Sequence, residues 1–233
     1  MHPTPLNVLA LSGSLRQGSL NGRLLEAAAA LAPEGMALQL CDGLRALPHF
    51  DEDLERETHG GPEPVRQLRA QVTAADALLL ATPEYNQSFP GVLKNGLDWL
   101  SRPGPEEVLV GKPVALLGAT PGRWGTRLAQ AGLRQVLTAT EALVLPAPAV
   151  FVPEAERLFD GSGRLQDTRT QEALRALLHA LARWTRSVTA ESSAAPGTRP
   201  SAARLPPAEA GSSDGDAGRP GAPPGVHARA RTS

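Results

Sequence analysis

Two short segments hold the residues with chemistry to offer. They are Gly13-Ser14-Leu15-Arg16-Gln17-Gly18-Ser19-Leu20-Asn21 and Pro83-Glu84-Tyr85-Asn86-Gln87-Ser88-Phe89-Pro90. Each follows an apolar run and leads into a helical pattern. In the first, a tight turn at Gly13 would bring successive backbone N–H groups toward one point, while Ser14, Ser19 and Asn21 add neutral donors and Arg16 supplies charge. Unpaired N–H groups and the positive dipole end of a helix favour a phosphate dianion there. The same residue types also start ordinary helices, so Ser19 or Asn21 could simply be the N-cap. The segment has neither the Gly-Lys-Ser/Thr of the nucleotide-triphosphatase loop nor a Gly-x-Gly-x-x-Gly. A mononucleotide or flavin phosphate therefore suits it better than ATP or a dinucleotide bound in the usual way.

The second segment is bounded by Pro83 and Pro90, which restrict the backbone and leave Glu84, Tyr85, Asn86 and Gln87 to present peptide groups and an aromatic edge to a planar ligand. An ordinary turn with Tyr85 in the core is the other reading. The helix that follows has an apolar stripe at Val92, Leu93, Leu97 and Leu100, and Trp99 on it suits packing or a subunit contact.

The elements that would position these segments are legible around them. Five apolar runs, Val8 to Leu11, Ala37 to Leu40, Ala77 to Ala81, Val114 to Leu117 and Ala142 to Val144, are continuous rather than alternating, as in strands covered on both faces. Amphipathic stretches separate them at Asn21 to Leu31, Pro64 to Ala74, Gly91 to Ser101 and Thr126 to Thr138, and a last one, Thr168 to Arg186, follows. Strand and helix in strict alternation predict a doubly wound, five-stranded parallel sheet in a three-layer α/β/α sandwich. Ligands of such sheets lie beyond the carboxyl ends of the strands. Both segments fall there, joined by a third post-strand loop, Gly118-Ala119-Thr120-Pro121-Gly122-Arg123-Trp124-Gly125.

Composition narrows the function classes. The 233 residues carry 23 basic and 24 acidic side chains, for a net charge of −1, which argues against a dedicated nucleic-acid or membrane binder. The single cysteine, Cys41, excludes an internal disulfide and any Cys-x-x-Cys site. Following the run Met36 to Leu40, it reads as a buried core thiol. The long segment Cys41 to Gly61 gathers His49, Asp51, Glu52, Asp53 and His59 without a helical His pair or a calcium-loop pattern, so its acids read as solvated and no metal is expected. The run at Asn7 to Leu11 is too short for a signal-peptide core and no run reaches membrane-spanning length, which points to a cytoplasmic protein. A domain over 1–187 is expected, then a disordered Ala/Pro/Gly/Ser/Arg-rich tail over 188–233, whose scattered arginines suit a solvated extension better than an RNA tether.

Gly13-Ser-Leu-Arg-x-x-Ser-x-Asn21 together with Pro83-Glu-Tyr-Asn-x-Ser-x-Pro-Gly-x-Leu-Lys-Asn95 resembles the NADPH-dependent FMN reductase family, in order and spacing, from about Asn7 to Trp184. The resemblance implies a flavodoxin-like fold, noncovalent FMN, NADPH or NADH as cosubstrate, and a homodimer or homotetramer with flavin sites near subunit interfaces. It places the FMN phosphate on Ser14, Arg16, Ser19 and Asn21 with the backbone of Leu15, Arg16, Gln17 and Gly18. The isoalloxazine would lie along Pro83, Glu84, Tyr85, Asn86 and Gln87, with Thr120 near its polar edge. Gln87 departs from the aromatic or small residue of many relatives, and Trp124 and Thr126 make the third loop bulkier than in some. The implied chemistry is ping-pong transfer from NAD(P)H through the flavin to a small-molecule acceptor such as a quinone, free flavin, azo compound or chromate. It needs no catalytic side chain. A flavodoxin-like electron carrier or flavin-responsive regulator without turnover is the alternative, although such carriers are typically strongly acidic around the flavin and this chain is balanced in charge.

Overall fold

The runs at Val8 to Leu11, Ala77 to Ala81 and Val114 to Leu117 form strands covered from both sides, as expected, whereas the run at Ala37 to Leu40 forms a strand that is half open to solvent. A computed structural model describes residues 5–102 and 107–194, all in one compact unit. The order is β1 (Leu6–Ser12), α1 (Leu20–Ala30), β2 (Met36–Cys41), α2 (Glu52–Glu57), α3 (Glu63–Ala74), β3 (Ala77–Ala81), α4 (Gly91–Leu100), β4 (Pro113–Ala119), α5 (Arg127–Ala139), β5 (Leu143–Val144), β6 (Val150–Val152) and α6 (Thr168–Ala194). Parallel pairing in the order β2-β1-β3-β4-β5, with β6 also on β4, gives the flavodoxin-like sheet.

Alternate residues of the central strands feed two separate cores. Val8, Ala10, Leu79, Ala115 and Leu117 pack with Leu24 and Leu25 of α1 and Leu174, Leu177, Leu178 and Leu181 of α6. Leu9, Leu11, Leu78, Leu80, Val114 and Leu116 face Leu68 and Val72 of α3, Leu93 and Leu97 of α4, and Leu133 and Leu137 of α5. This is the expected three-layer sandwich, and every residue of β3 is buried between the layers. Deleting a fully buried leucine there would cost about 2–5 kcal/mol.

The fifth strand position differs in detail. It is occupied by two short pieces: β5 lies beside the start of β4, pairing Leu143 with Pro113, and β6 lies beside its end, pairing Val150 with Leu117. Pro146 and Pro148 stand between them and have no N–H for the ladder, so the strand cannot run through. Cys41 is another correction. It ends β2, the edge strand, and is half-buried rather than a core thiol, with Sγ 3.0 Å from Gln71 Oε1. Partial burial pushes its thiol pKa up, so it is not an activated nucleophile. Finally, α6 runs to Ala194, past the boundary expected at 187, and the rest of the tail expected to be disordered over 188–233 lies outside the described residues. No helix among the described residues is long and apolar enough to cross a membrane.

Candidate functional site

Three loops leave the carboxyl ends of β1, β3 and β4 side by side. The first is tied down at both ends and open in the middle. Gly13 N–H donates to the Ala81 carbonyl at the end of β3 over 2.8 Å. At the other end Ser19 is the N-cap of α1, its Oγ accepting from Asn21 N (3.2 Å) and Gly22 N (3.3 Å). Between these anchors the turn closes through Gly18 at φ 69°, a left-handed conformation that suits glycine. Among the described residues, the N–H groups of Leu15, Arg16, Gln17 and Gly18 meet no protein acceptor, and Arg16 is exposed without an ion pair. Arg45 Nη2 holds the loop from outside by donating to the Leu15 carbonyl.

Asn21 works differently from its neighbours. It is buried, and both polar atoms of its carboxamide meet one backbone unit: Nδ2 donates to the Ala119 carbonyl and Oδ1 accepts from Ala119 N–H, both at 2.9 Å. The first loop is therefore locked to the end of β4, from which the third loop departs. Nothing in local sequence distinguishes this clamp from a helix cap, because its partner is 98 residues away.

The second loop is a finished structure. Tyr85 and Ser88 exchange two backbone hydrogen bonds of 2.9 and 3.0 Å around Asn86 (φ 49°) and Gln87 (φ 63°), a two-residue hairpin turn with both central residues left-handed. Such conformations are uncommon for Gln, and a costly backbone kept at a sheet's ligand edge fits a constraint imposed by function. Tyr85 is 52% exposed, so it is not in the core. Glu84 points away from the turn, and its Oε2 accepts from Leu128 N (2.9 Å) and Ala129 N (3.0 Å), capping α5. That helix has no cap of its own, because the Thr126 hydroxyl instead accepts from Gln130 Nε2. Sequence reasoning missed this role for Glu84, whose partner helix lies 44 residues on.

The loops meet over Gly118. A Cβ there would lie 2.1 Å from Thr126 Oγ1 and 2.4 Å from the Thr82 carbonyl, so only glycine lets the second and third loops approach. Thr120 starts the third loop with its N–H on the Val152 carbonyl (3.0 Å) and its Oγ1 accepting from Gly122 N (3.2 Å). The bulk expected at Trp124 and Thr126 separates into two environments. Thr126 is fully buried beneath the loop, whereas Trp124 is 70% exposed with Arg123 stacked 4.7 Å over its ring.

The long segment before α3 is bolted to α4. The Pro48 carbonyl accepts from Asn95 Nδ2 (2.8 Å) and Trp99 Nε1 (2.9 Å), and Asn95 Oδ1 accepts from Phe50 N (2.7 Å). Phe50 meets Trp99 edge-on at 5.0 Å, and Trp99 is buried, as its packing reading implies. The acids of this segment start α2: Asp51 is the N-cap, and Glu52 and Asp53 sit in the first turn, where the helix dipole favours them. Among the described residues, no three His, Cys, Asp or Glu side chains gather to hold a metal.

Four unengaged amides around an unpaired arginine match a phosphate dianion, and a rigid polar turn beside them matches a flat ring. The donor set thus fits FMN. Fold and site together define a flavodoxin-like flavin-binding protein. The model of the family described as NADPH-dependent FMN reductase matches residues 6–157, and the chain belongs to that family. It is similar to an NAD(P)H-dependent FMN reductase of Pseudomonas aeruginosa, with 46% identity over 78% of this chain and 96% of the relative. A 2-hydroxy-1,4-benzoquinone reductase of Burkholderia sp is 36% identical over 78% of this chain and 97% of its own length. Among solved structures, the flavoenzyme NAD(P)H:(acceptor) oxidoreductase FerB from Paracoccus denitrificans superposes with a TM-score of 0.71 at 32% identity, covering 78% of this chain and 98% of that one.

Proposed function

We propose that this protein is an FMN-dependent NAD(P)H oxidoreductase that passes reducing equivalents from a nicotinamide to small acceptors, quinones and free flavins first among them. The names of its reductase relatives support this reading. The observation that carries it is the convergence on one sheet edge of an amide-lined loop around Arg16 and a preformed polar turn at Asn86 and Gln87. When bound, FMN supplies the redox centre. Arg16, Ser14 and the amides of Leu15, Arg16, Gln17 and Gly18 hold its phosphate, and the hydroxyl proton of Ser19 is available to it because the cap uses only that oxygen's lone pairs. Pro83 to Gln87 would hold its ring with backbone groups, with Thr120 contributing from the third loop, and Asn21 ties the first loop to the start of that third loop. No side chain is asked to act as acid or base.

The exposed Tyr85, Trp124 and Leu128 beside this edge support a homodimer or homotetramer as the working form. We place the enzyme in the cytoplasm, with its reductase domain ending in α6. Purified protein should be yellow and should oxidise NADPH or NADH when a quinone, ferricyanide or free FMN is supplied. Yellow protein inert to both nicotinamides would leave an electron carrier, and colourless protein unable to bind FMN would end the reading altogether.

A further inference from the structure

Between β2 and α2 the chain makes a short 3₁₀ turn, Gly43–Ala46, that is fixed from several directions. Leu44 is buried in the core that holds Leu68, Leu93 and Leu97. A Cβ at Gly96 would collide with Leu44 Cδ2, so the glycine lets the turn seat closely on α4. On one side Gly43 N–H donates to Cys41 Sγ (3.4 Å) at the end of β2, and on the other the Pro48 carbonyl is held by Asn95 and Trp99. Arg45 N–H closes the turn on the Asp42 carbonyl (3.0 Å), so the Arg45 side chain leaves an anchored backbone.

That side chain crosses to the first loop, where Nη2 donates to the Leu15 carbonyl, 30 residues earlier in the chain. Leu15 C=O and Arg16 N–H are the two ends of one trans peptide plane and point in opposite directions. Holding the carbonyl toward Arg45 therefore turns the Arg16 N–H away from Arg45 and fixes it there. This N–H is one of the four that meet no acceptor among the described residues. A cationic donor on the carbonyl also polarises the peptide and strengthens its N–H as a donor. Arg45 is exposed and forms no ion pair among the described residues, so no carboxylate neutralises it. The loop from Gly13 to Asn21 contains no acidic residue to oppose an anion.

We infer that Arg45 is a positioning residue for the flavin phosphate: by pinning the Leu15 carbonyl it keeps the Leu15–Arg16 peptide in the orientation that offers Arg16 N–H to the phosphate. The inference rests on the reading of the first loop as the phosphate end of the FMN site. The test is fluorescence titration of the full chain, freed of flavin, with FMN and with riboflavin, which has the same ring and no phosphate. Arg45→Ala should weaken FMN about tenfold and leave riboflavin affinity and the melting temperature of the apoprotein unchanged. Arg45→Lys, which keeps a charged donor on a long side chain, should recover most of the loss. The deficit of Arg45→Ala should persist in about 0.5 M salt, where attraction through solvent between separated charges is screened. Arg186→Ala removes the same charge near the opposite edge of the sheet, where Trp184 donates to the Leu143 carbonyl, and should change neither affinity. FMN and riboflavin weakened alike by Arg45→Ala would make Arg45 a contact of the fold only. Unchanged FMN affinity would remove it from the site, and a deficit erased by salt would assign the effect to its charge instead of its hydrogen bond. Each of these results overturns the inference. Unsubstituted protein that binds riboflavin as tightly as FMN, or binds neither, refutes instead the phosphate reading beneath it.

Discussion

The first and second loops sit on the same sheet edge and are prepared in opposite ways. Around Arg16 the backbone is left incomplete, with four consecutive N–H groups lacking an acceptor among the described residues. Around Asn86 it is complete, closed by the Tyr85 and Ser88 hydrogen bonds, bounded by two prolines and anchored through Glu84 to α5. A loop that must grip a dianion gains most if the ligand supplies the missing acceptors. A loop that must lie against a flat ring gains most if it has no alternative shape, because ordering it on binding would subtract from affinity. One end of the site is specified by charge and the other by rigidity.

The harshest way to break this contrast is Gly118→Ala, which attacks what both loops share. Its methyl would overlap Thr126 Oγ1 and the Thr82 carbonyl, so we expect a loss of about 3 kcal/mol or more in thermal or denaturant unfolding, together with loss of bound flavin. Arg16→Ala separates the ends. FMN affinity should drop ten- to a hundredfold, from a charge-assisted contact of roughly 1.5 to 3 kcal/mol, while riboflavin, which has no phosphate, binds as before. Riboflavin weakened as much as FMN would take Arg16 out of the phosphate end.

Glu84→Ala should act the other way. Removing the side chain that caps α5 costs about 1–2 kcal/mol of stability, and loosening the ring loop should weaken FMN and riboflavin by similar factors, read by fluorescence titration. Glu84→Gln, which keeps an acceptor, should recover most of that loss. The smallest effect belongs to Gln87→Gly. A non-glycine residue held left-handed costs about 1–2 kcal/mol, partly offset by the greater freedom of glycine in the unfolded chain. The apoprotein should therefore gain about 0.5 kcal/mol, and a clear loss in melting temperature would mean that the Gln87 side chain, rather than the shape of the turn, holds the loop.

How much of this was legible follows from the range of the interactions. The strands β1, β3 and β4 were readable because both faces of each are buried, so their apolar runs are unbroken. The piece β6, Val-Phe-Val, has suitable residues but is too short, and too close behind two prolines, to stand out as a strand. The acids at 51–53 gave no sign of α2, whose six residues bury none of their side chains and so lack an apolar stripe. Cys41 looked like core because the run before it is apolar, but an edge strand has a neighbour on one side only, and Leu40 beside it is 46% exposed.

The sequence alone determined the alternation of strands and helices, the family, and the chemistry of the two loops, because periodicity, turn residues and motif spacing act over a few residues. The tertiary structure decided which of those residues hold the loops together. Asn21 and Glu84 stand inside the two motifs, and their side chains fasten the first and second loops to β4 and α5. A carboxamide or carboxylate has the same hydrogen-bonding capacity wherever it lies in the chain. Only the fold brings an unpaired backbone group within reach and so settles which partner it takes.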